Sequence, residues 1–371
     1  MKKNRQVYTA WVLLIVAAIL IPGCGPSDPD CAKPENFCVG LVTDLGKVND
    51  EAFNQLAWEG LKQAEHDLGA YVQYIESVDV KEYDKNIATF ANAGYDVIVT
   101  IGYGQKKITT EAASKYPQIK FIGVDQPQDP DKSLPRNLTG LTFPEDQAGF
   151  LAGALAAQMT KSNKIGVVCG PDWFPPASRY STGFKAGATY IDPVVEVTVV
   201  CHNDIGFNKS IYDPEWDAAT ANTMIDNGVD IVFGADGYDE NGAVTAAAQR
   251  DIYAIGVNTD QYLTLREERK VLLSSAIKLI TQGVFDLIKA AQDGNFPGGE
   301  FPGQVGYAPF HDLDDQVPPR VRAKMNEIQQ GLADGSVGPD ISSAVPTAVP
   351  TEIPSDIPPT LTPTATATEG P

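Results

Sequence analysis

Short apolar, β-branched runs recur along the chain: VGLVTD from Val39, YVQYIES from Tyr71, DVIVTIG from Asp96, KFIGVD from Lys120, KIGVVCG from Lys164, VEVTVV from Val195, DIVFGAD from Asp230 and IYAIGVN from Ile252. Most are apolar at successive positions rather than alternate ones, the pattern of strands buried on both faces. The segments between them have a helical period. In EAFNQLAWEGLKQAEHDLG, residues 51–69, the side chains of Phe53, Leu56, Ala57, Gly60, Leu61, Ala64 and Leu68 fall on one face, and Gly69 suits a C-terminal cap. Strand and helix in alternation predict an α/β fold of parallel sheets covered by helices. Eight such strands suit a closed barrel as well as two open sheets, and the rhythm does not choose between them.

Both ends break this rhythm. The chain opens on MKKNR, runs apolar from Ala10 to Ile21, and reaches Pro22, Gly23 and Cys24. A basic region, an apolar region and a cleavage zone predict a signal peptide over 1–23. The apolar run is about 12 residues, whereas a spanning helix needs about 20. Ile21-Pro22-Gly23-Cys24 resembles a bacterial lipobox, with Pro22 as its departure. Cys24 is then acylated, 24–36 is a linker, and the body is anchored on the extracytoplasmic side of the cell membrane. The alternative is a soluble export signal with an incidental cysteine. From 336 to 371 the chain is rich in Pro, Thr, Ala and Ser and has no Lys or Arg, so an extended, disordered tail is expected.

Charge and composition narrow the function. Asp and Glu number 48 against 28 Lys and Arg, a net charge of -20, which argues against nucleic acid as a partner. With 371 residues, 43% of them hydrophobic, the chain can bury a core and has room for roughly two domains. Its histidines, His66, His202 and His311, are far apart and lack zinc-site spacing, so neither metal nor cofactor is expected. Besides Cys24 there are Cys31, Cys38, Cys169 and Cys201. An exported chain folds where disulfides persist, and an even number invites pairing in one of three connectivities. Cys31 with Cys38 and Cys169 with Cys201 is favoured, since the second pair ends two β-like runs that could lie side by side. Buried free thiols are the alternative.

Acidic residues fall where the strand runs stop: Asp44 ends the first, Asp125 the fourth, Asp236 the seventh, and Asp260 follows the eighth. In open parallel sheets, ligands bind beyond the carboxyl ends of the strands. Any one such Asp is ordinarily a helix cap. Four of them, with nearby amides and aromatic rings, mark a ligand site.

The string DLGKVNDEAFNQLAWEGL, residues 44–61, resembles the Asp-x-Gly-x-x-Asn-Asp-x-x-Phe-Asn opening of the basic membrane protein family of ABC-transporter substrate-binding lipoproteins. IGVDQP at 122–127, GFNK at 206–209, AIGVNTDQ at 254–261 and VLLSSAIK at 271–278 resemble its later segments, in the same order. The resemblance implies a type I periplasmic-binding-protein fold, with two Rossmann-like lobes, parallel sheets and a ligand cleft at the hinge. One lobe would hold 37–142 plus 276–300 and the other 143–275 plus 301–335. It also implies a monomeric receptor, not an enzyme, that captures a nucleoside, typically a purine one, and passes it to a membrane permease with its own ATPase. The chain lacks the Walker GxxxxGK[ST] motif that hydrolysing ATP itself would require.

Residue by residue, the resemblance gives Phe207 the stacking position on the base, with Val48, Tyr103 and Trp173 as candidates for the other face. Asn54 and Asp125 would read the base edge, since a carboxylate accepts hydrogen bonds and an amide both donates and accepts. Asp44, Asn49, Asp50 and Phe53 belong to the same opening motif, where Asn49 and Asp50 also suit helix capping. Asp260 would accept from vicinal ribose hydroxyls and Lys278 would bond a ribose oxygen. Gly234, Asp236 and Gly237 would approach the ligand through backbone. The chain departs from its relatives at 235–237, where they tend toward Ala-Gly-Gly, and at Asn258, where they have Asp. Competing readings are a non-transport sensor, a binder of a related furanose, and a nucleoside or glycoside hydrolase using two strand-end carboxylates. No GxSxG elbow supports a hydrolase.

Overall fold

The computed structural model describes residues 28–128, 135–203, 213–235 and 241–339. The signal segment, Cys24, Phe207, Asp236, Gly237 and the tail from 340 lie outside the described residues.

The strand runs form two separate open sheets. The first contains β1 (Cys38–Leu45), β2 (Tyr71–Ser77), β3 (Val97–Ile101), β4 (Lys120–Val124), β5 (Leu138–Thr142) and β11 (Gly299–Pro302), in the order β11-β5-β4-β3-β1-β2. Every neighbouring pair in it is parallel. The second contains β6 (Lys164–Cys169), β7 (Glu196–Cys201), β8 (Ile231–Gly234), β9 (Tyr253–Asn258), β10 (Leu272–Lys278) and β12 (Val305–Tyr307), in the order β12-β10-β9-β8-β6-β7. Only β12 runs antiparallel, against β10. The order 2-1-3-4-5 of β1–β5 thus repeats in β6–β10, as two Rossmann-like lobes require.

Burial on both faces follows from the sequence. In β1, Val39 and Leu41 enter one core cluster, with Leu61 and Ala64 of α1 (Phe53–Leu68) and Val284 and Leu287 of α9 (Ile280–Gln292). Cys38 and Val42 enter another, with Ile87 and Phe90 of α2 (Tyr83–Asn92) and Ala112 of α3 (Lys106–Lys115). Gly69 closes α1 at φ 69°, its N–H donating to Ala64 O. In the second lobe, α4 (Glu145–Met159), α5 (Pro175–Ile191) and α10 (Pro319–Asp334) cover one face. The other is covered by α6 (Pro214–Asp226) and α7 (Gly242–Gln249). A one-turn helix, α8 (Gln261–Thr264), follows β9.

Helices α4 and α5 touch backbone to backbone. A Cβ on Gly153 would lie 1.9 Å from Phe184 O, and one on Gly187 would lie 1.9 Å from Phe150 O. Gly149 faces Tyr180 O and Gly183 faces Asp146 O in the same reciprocal way. Two Gly-x-x-x-Gly pairs therefore fix Glu145, at the start of α4, against Arg179 and Tyr180 near the start of α5.

The chain crosses between lobes after β5, after β10 and between β11 and β12. The crossing that the sequence puts between residues 275 and 276 falls after Lys278, because Ala276, Ile277 and Lys278 pair with Tyr307, Gly306 and Val305 in the second sheet. Disulfides join Cys31 to Cys38 and Cys169 to Cys201. The second pair are register partners in the parallel β6 and β7, which brings their Cα atoms to 4.5 Å. No helix among the described residues is long and apolar enough to cross a membrane.

Candidate ligand site

The carboxyl ends of the two sheets face one another, and their polar residues form three groups. The first surrounds the end of β1. Asp44 Oδ1 accepts from Tyr83 OH at 2.6 Å and from the Leu45 N–H, while the Asp44 N–H donates to Asn54 Oδ1 at 2.8 Å. Burial pushes the Asp44 carboxyl up, against the lowering effect of the Tyr83 hydrogen bond. The Asp50 carboxylate accepts from the N–H groups of Ala52, Asn54 and Gln55, so it caps the start of α1. Asn49 is exposed, and Val48 is buried in the first-lobe core rather than offering a face to a ligand.

The second group spans both lobes. Lys278 ends β10, and its Nζ lies 2.7 Å from Asp125 Oδ2 and 3.1 Å from Glu145 Oε1. The rings of Phe53, Phe143 and Tyr180 surround the same ammonium at 5.7, 5.6 and 5.9 Å. Burial pulls Lys278 toward the neutral form, but the two carboxylates outweigh it and hold it protonated, above the usual lysine range. Glu145 Oε2 also receives Arg179 at 3.4 Å. Tyr180 OH donates to Asn258 Oδ1 at 3.1 Å. Asp125 and Asn258 stand at equivalent strand ends, after β4 and at the end of β9, and both adopt left-handed backbone, φ 55° and 64°. Asn and Asp tolerate that region better than other side chains.

The third group surrounds Asp260. Its Oδ2 lies 2.7 Å from His311 Nε2, and its Oδ1 accepts from the Tyr262 N–H. His311 stacks on Tyr262, their centroids 4.0 Å apart. At Gly234 the space a Cβ would fill is taken by the Asn241 amide, which donates to Gly234 O. The missing side chain there accommodates a protein neighbour.

Two further contacts join the lobes. Arg266 Nη2 lies 2.7 Å from Glu51 Oε1, and Tyr103 meets Phe174 edge to face with centroids 5.8 Å apart.

Of the residues singled out in the sequence, Phe53, Asp125 and Lys278 meet in one cluster, Asp44, Asp50 and Asn54 form a neighbouring network, and Asp260 is engaged by His311. Sequence reasoning missed Glu145, Arg179, Tyr180, Phe143 and His311. The signal for the first three was the pair of Gly-x-x-x-Gly spacings at 149–153 and 183–187, which bring α4 and α5 together. Among the described residues no group of three or more His, Cys, Asp or Glu could hold a metal ion.

The chain shares its two-lobed fold with solved ABC transporter solute-binding proteins. One from Conexibacter woesei superposes with a TM-score of 0.67 at 24% identity, covering 81% of this chain and 97% of that one. One from Aeropyrum pernix superposes at 0.62 and 20%, covering 82% and 94%. Among relatives in sequence, the CD4+ T-cell-stimulating antigen of Listeria monocytogenes is 30% identical, covering 90% of this chain and 98% of that protein. The ABC transporter nucleoside-binding protein BmpA of Lactococcus lactis is 29% identical, covering 80% and 87%. Basic membrane protein A of Borreliella burgdorferi is 31% identical, covering 67% and 71%. The profile of the Bmp family, described as ABC transporter substrate-binding protein PnrA-like, matches residues 37–302. With that match spanning most of the folded body, the chain belongs to the Bmp family of PnrA-like ABC transporter substrate-binding proteins.

Proposed function

We propose that this protein is an extracytoplasmic receptor, anchored through Cys24, that closes its two lobes on one nucleoside and delivers it to the permease and ATPase subunits of an ABC importer. The observation that carries the reading is the inter-lobe cluster at Asp125 and Lys278, with an aromatic ring, Phe53, beside it. A nucleoside has a flat apolar base with N–H groups on its edge and a polar sugar. Asp125 accepts from the base edge, Phe53 covers a base face and the Asn258 amide serves the sugar, while the buried Lys278 orients the Asp125 carboxylate. The resemblance gives Phe207 the opposite base face. The Lactococcus relative named as nucleoside-binding supports the ligand class.

Delivery is a hinge motion, driven by contacts that the ligand makes only when the lobes are closed. No bond in the ligand is made or broken. The test is to denature the purified protein, identify the released small molecule by mass spectrometry, and incubate the native protein with added nucleoside. One intact nucleoside per chain, with no free base accumulating, supports the receptor reading. A released amino acid or free sugar, or steady release of base, contradicts it.

A further inference from the structure

Lys278 is buried between two carboxylates that differ in access. The Lys278 side chain is 2% exposed and that of Glu145 5%, while that of Asp125 is 19% exposed. A molecule entering the cleft can therefore reach Asp125 but not Glu145. Glu145 is also the more firmly held. It starts α4, where the helix N-terminus favours an anion, its second oxygen faces Arg179, and the glycine contacts lock α4 to α5.

We propose that Glu145 is a positioning residue of the ligand site: it remains the counter-ion of Lys278 when Asp125 turns its oxygens to hydrogen-bond donors of the ligand. This rests on the ligand reading above. A buried ammonium stripped of its only partner is strongly destabilising, so a site with Asp125 alone would have to choose between holding Lys278 and holding ligand. With Glu145 present, Asp125 is free to exchange partners while Lys278 stays charged and fixed. The groups facing Lys278 are Asp125 from the end of β4, Glu145 from α4, Tyr180 from α5 and the rings of Phe53 and Phe143.

The experiment has one arm without ligand and one with it. In the first, thermal unfolding of Glu145→Gln, Asp125→Asn and the double variant is followed from pH 7 to pH 10. Either carboxylate alone should sustain Lys278, so each single variant loses little and the double loses more than the sum. The double variant alone should gain melting temperature with rising pH, because its folded state holds Lys278 unprotonated while the unfolded chain protonates it. Additive losses without that pH dependence overturn the proposal. In the second arm, calorimetry with adenosine, which has no group of its own titrating near pH 9, run at pH 9 in buffers of different ionisation enthalpy, should show no net proton exchange for wild type. For Glu145→Gln it should show proton release and an affinity lower by about tenfold or more. Unchanged affinity without proton release in that variant overturns the proposal. If wild type binds no nucleoside at all, the proposed function fails, and the unfolding arm still decides the role of Glu145.

Discussion

Lys278 Nζ lies 2.7 Å from Asp125 Oδ2, an ion pair that joins the last residue of β10 in one lobe to the residue following β4 in the other. Removing the lysine leaves Asp125 and the buried Glu145 without their shared cation. Lys278→Ala should therefore cost about 3–5 kcal/mol in urea unfolding. Replacing all three by neutral groups, Lys278→Met with Asp125→Asn and Glu145→Gln, should cost less than the single change. A single variant within about 0.5 kcal/mol of wild type, the range of an ordinary surface change, would show that the pair is not the buried contact described.

The α4–α5 contact admits no side chain at its glycines. A methyl group at Gly153 would collide with Phe184 O, a backbone atom that cannot rotate away. Gly153→Ala should destabilise by about 1–3 kcal/mol. It should also weaken ligand binding, because Glu145, Arg179 and Tyr180 depend on that contact. Gly104→Ala, with nothing within 4 Å of its Cβ, should stay within about 0.5 kcal/mol of wild type. Equal effects at the two positions in chemical denaturation would refute the close packing.

Asp44 gives a pH dependence with a definite sign. Burial raises its carboxyl above the ordinary value of 3.8, so the folded chain holds that proton more tightly than the unfolded one. The stability this contributes is full below the unfolded value and is lost as pH rises through the folded one. Asp44→Asn keeps an oxygen for Tyr83 and Leu45 and removes the buried charge. Its stability relative to wild type should therefore rise between pH 4 and pH 7. A difference that stays flat or falls over that range contradicts the assignment.

Glu51 and Arg266 tie the lobes at the surface, both side chains being largely open to solvent. Exposed pairs contribute about 0.2–1 kcal/mol, so Glu51→Gln should raise the ligand dissociation rate by up to about fivefold. Association should change little, and added salt should bring wild type toward the variant. Stopped-flow measurement showing a slower association with unchanged dissociation would rule out a closure contact.

Much of the fold was legible because buried parallel strands leave continuous apolar runs. All eight runs read in the sequence are strands, and their α/β alternation gives the helices that cover them. The strands not read as runs explain themselves. LTGLT in β5 is short and interrupted by Gly140, LLSSAIK in β10 is broken by Ser274 and Ser275, GEFP in β11 is half polar, and β12 has three residues. The choice of two open sheets over a barrel needed strand order, which pattern does not encode. Within the site, strand-end acids were visible because a charged residue closing an apolar run is conspicuous. Glu145 and Tyr180 were not, since each sits in an ordinary helical sequence and gains its neighbours only from the glycine contact between α4 and α5. The environment of Asp260 was hidden in the same way: His311 is 51 residues away in sequence and reaches it only through the folded chain.

Whether the cleft takes a nucleoside through Asp125 is settled most directly by isothermal calorimetry with adenosine, guanosine, inosine, cytidine, uridine and ribose, run on wild type and on Asp125→Ala. The account predicts saturable one-to-one binding of a nucleoside by wild type. Loss of the hydrogen bonds to the Asp125 carboxylate should weaken it by about 10-fold to 150-fold in the variant. Binding of ribose alone, binding of no nucleoside, or a nucleoside affinity unchanged by Asp125→Ala would contradict it.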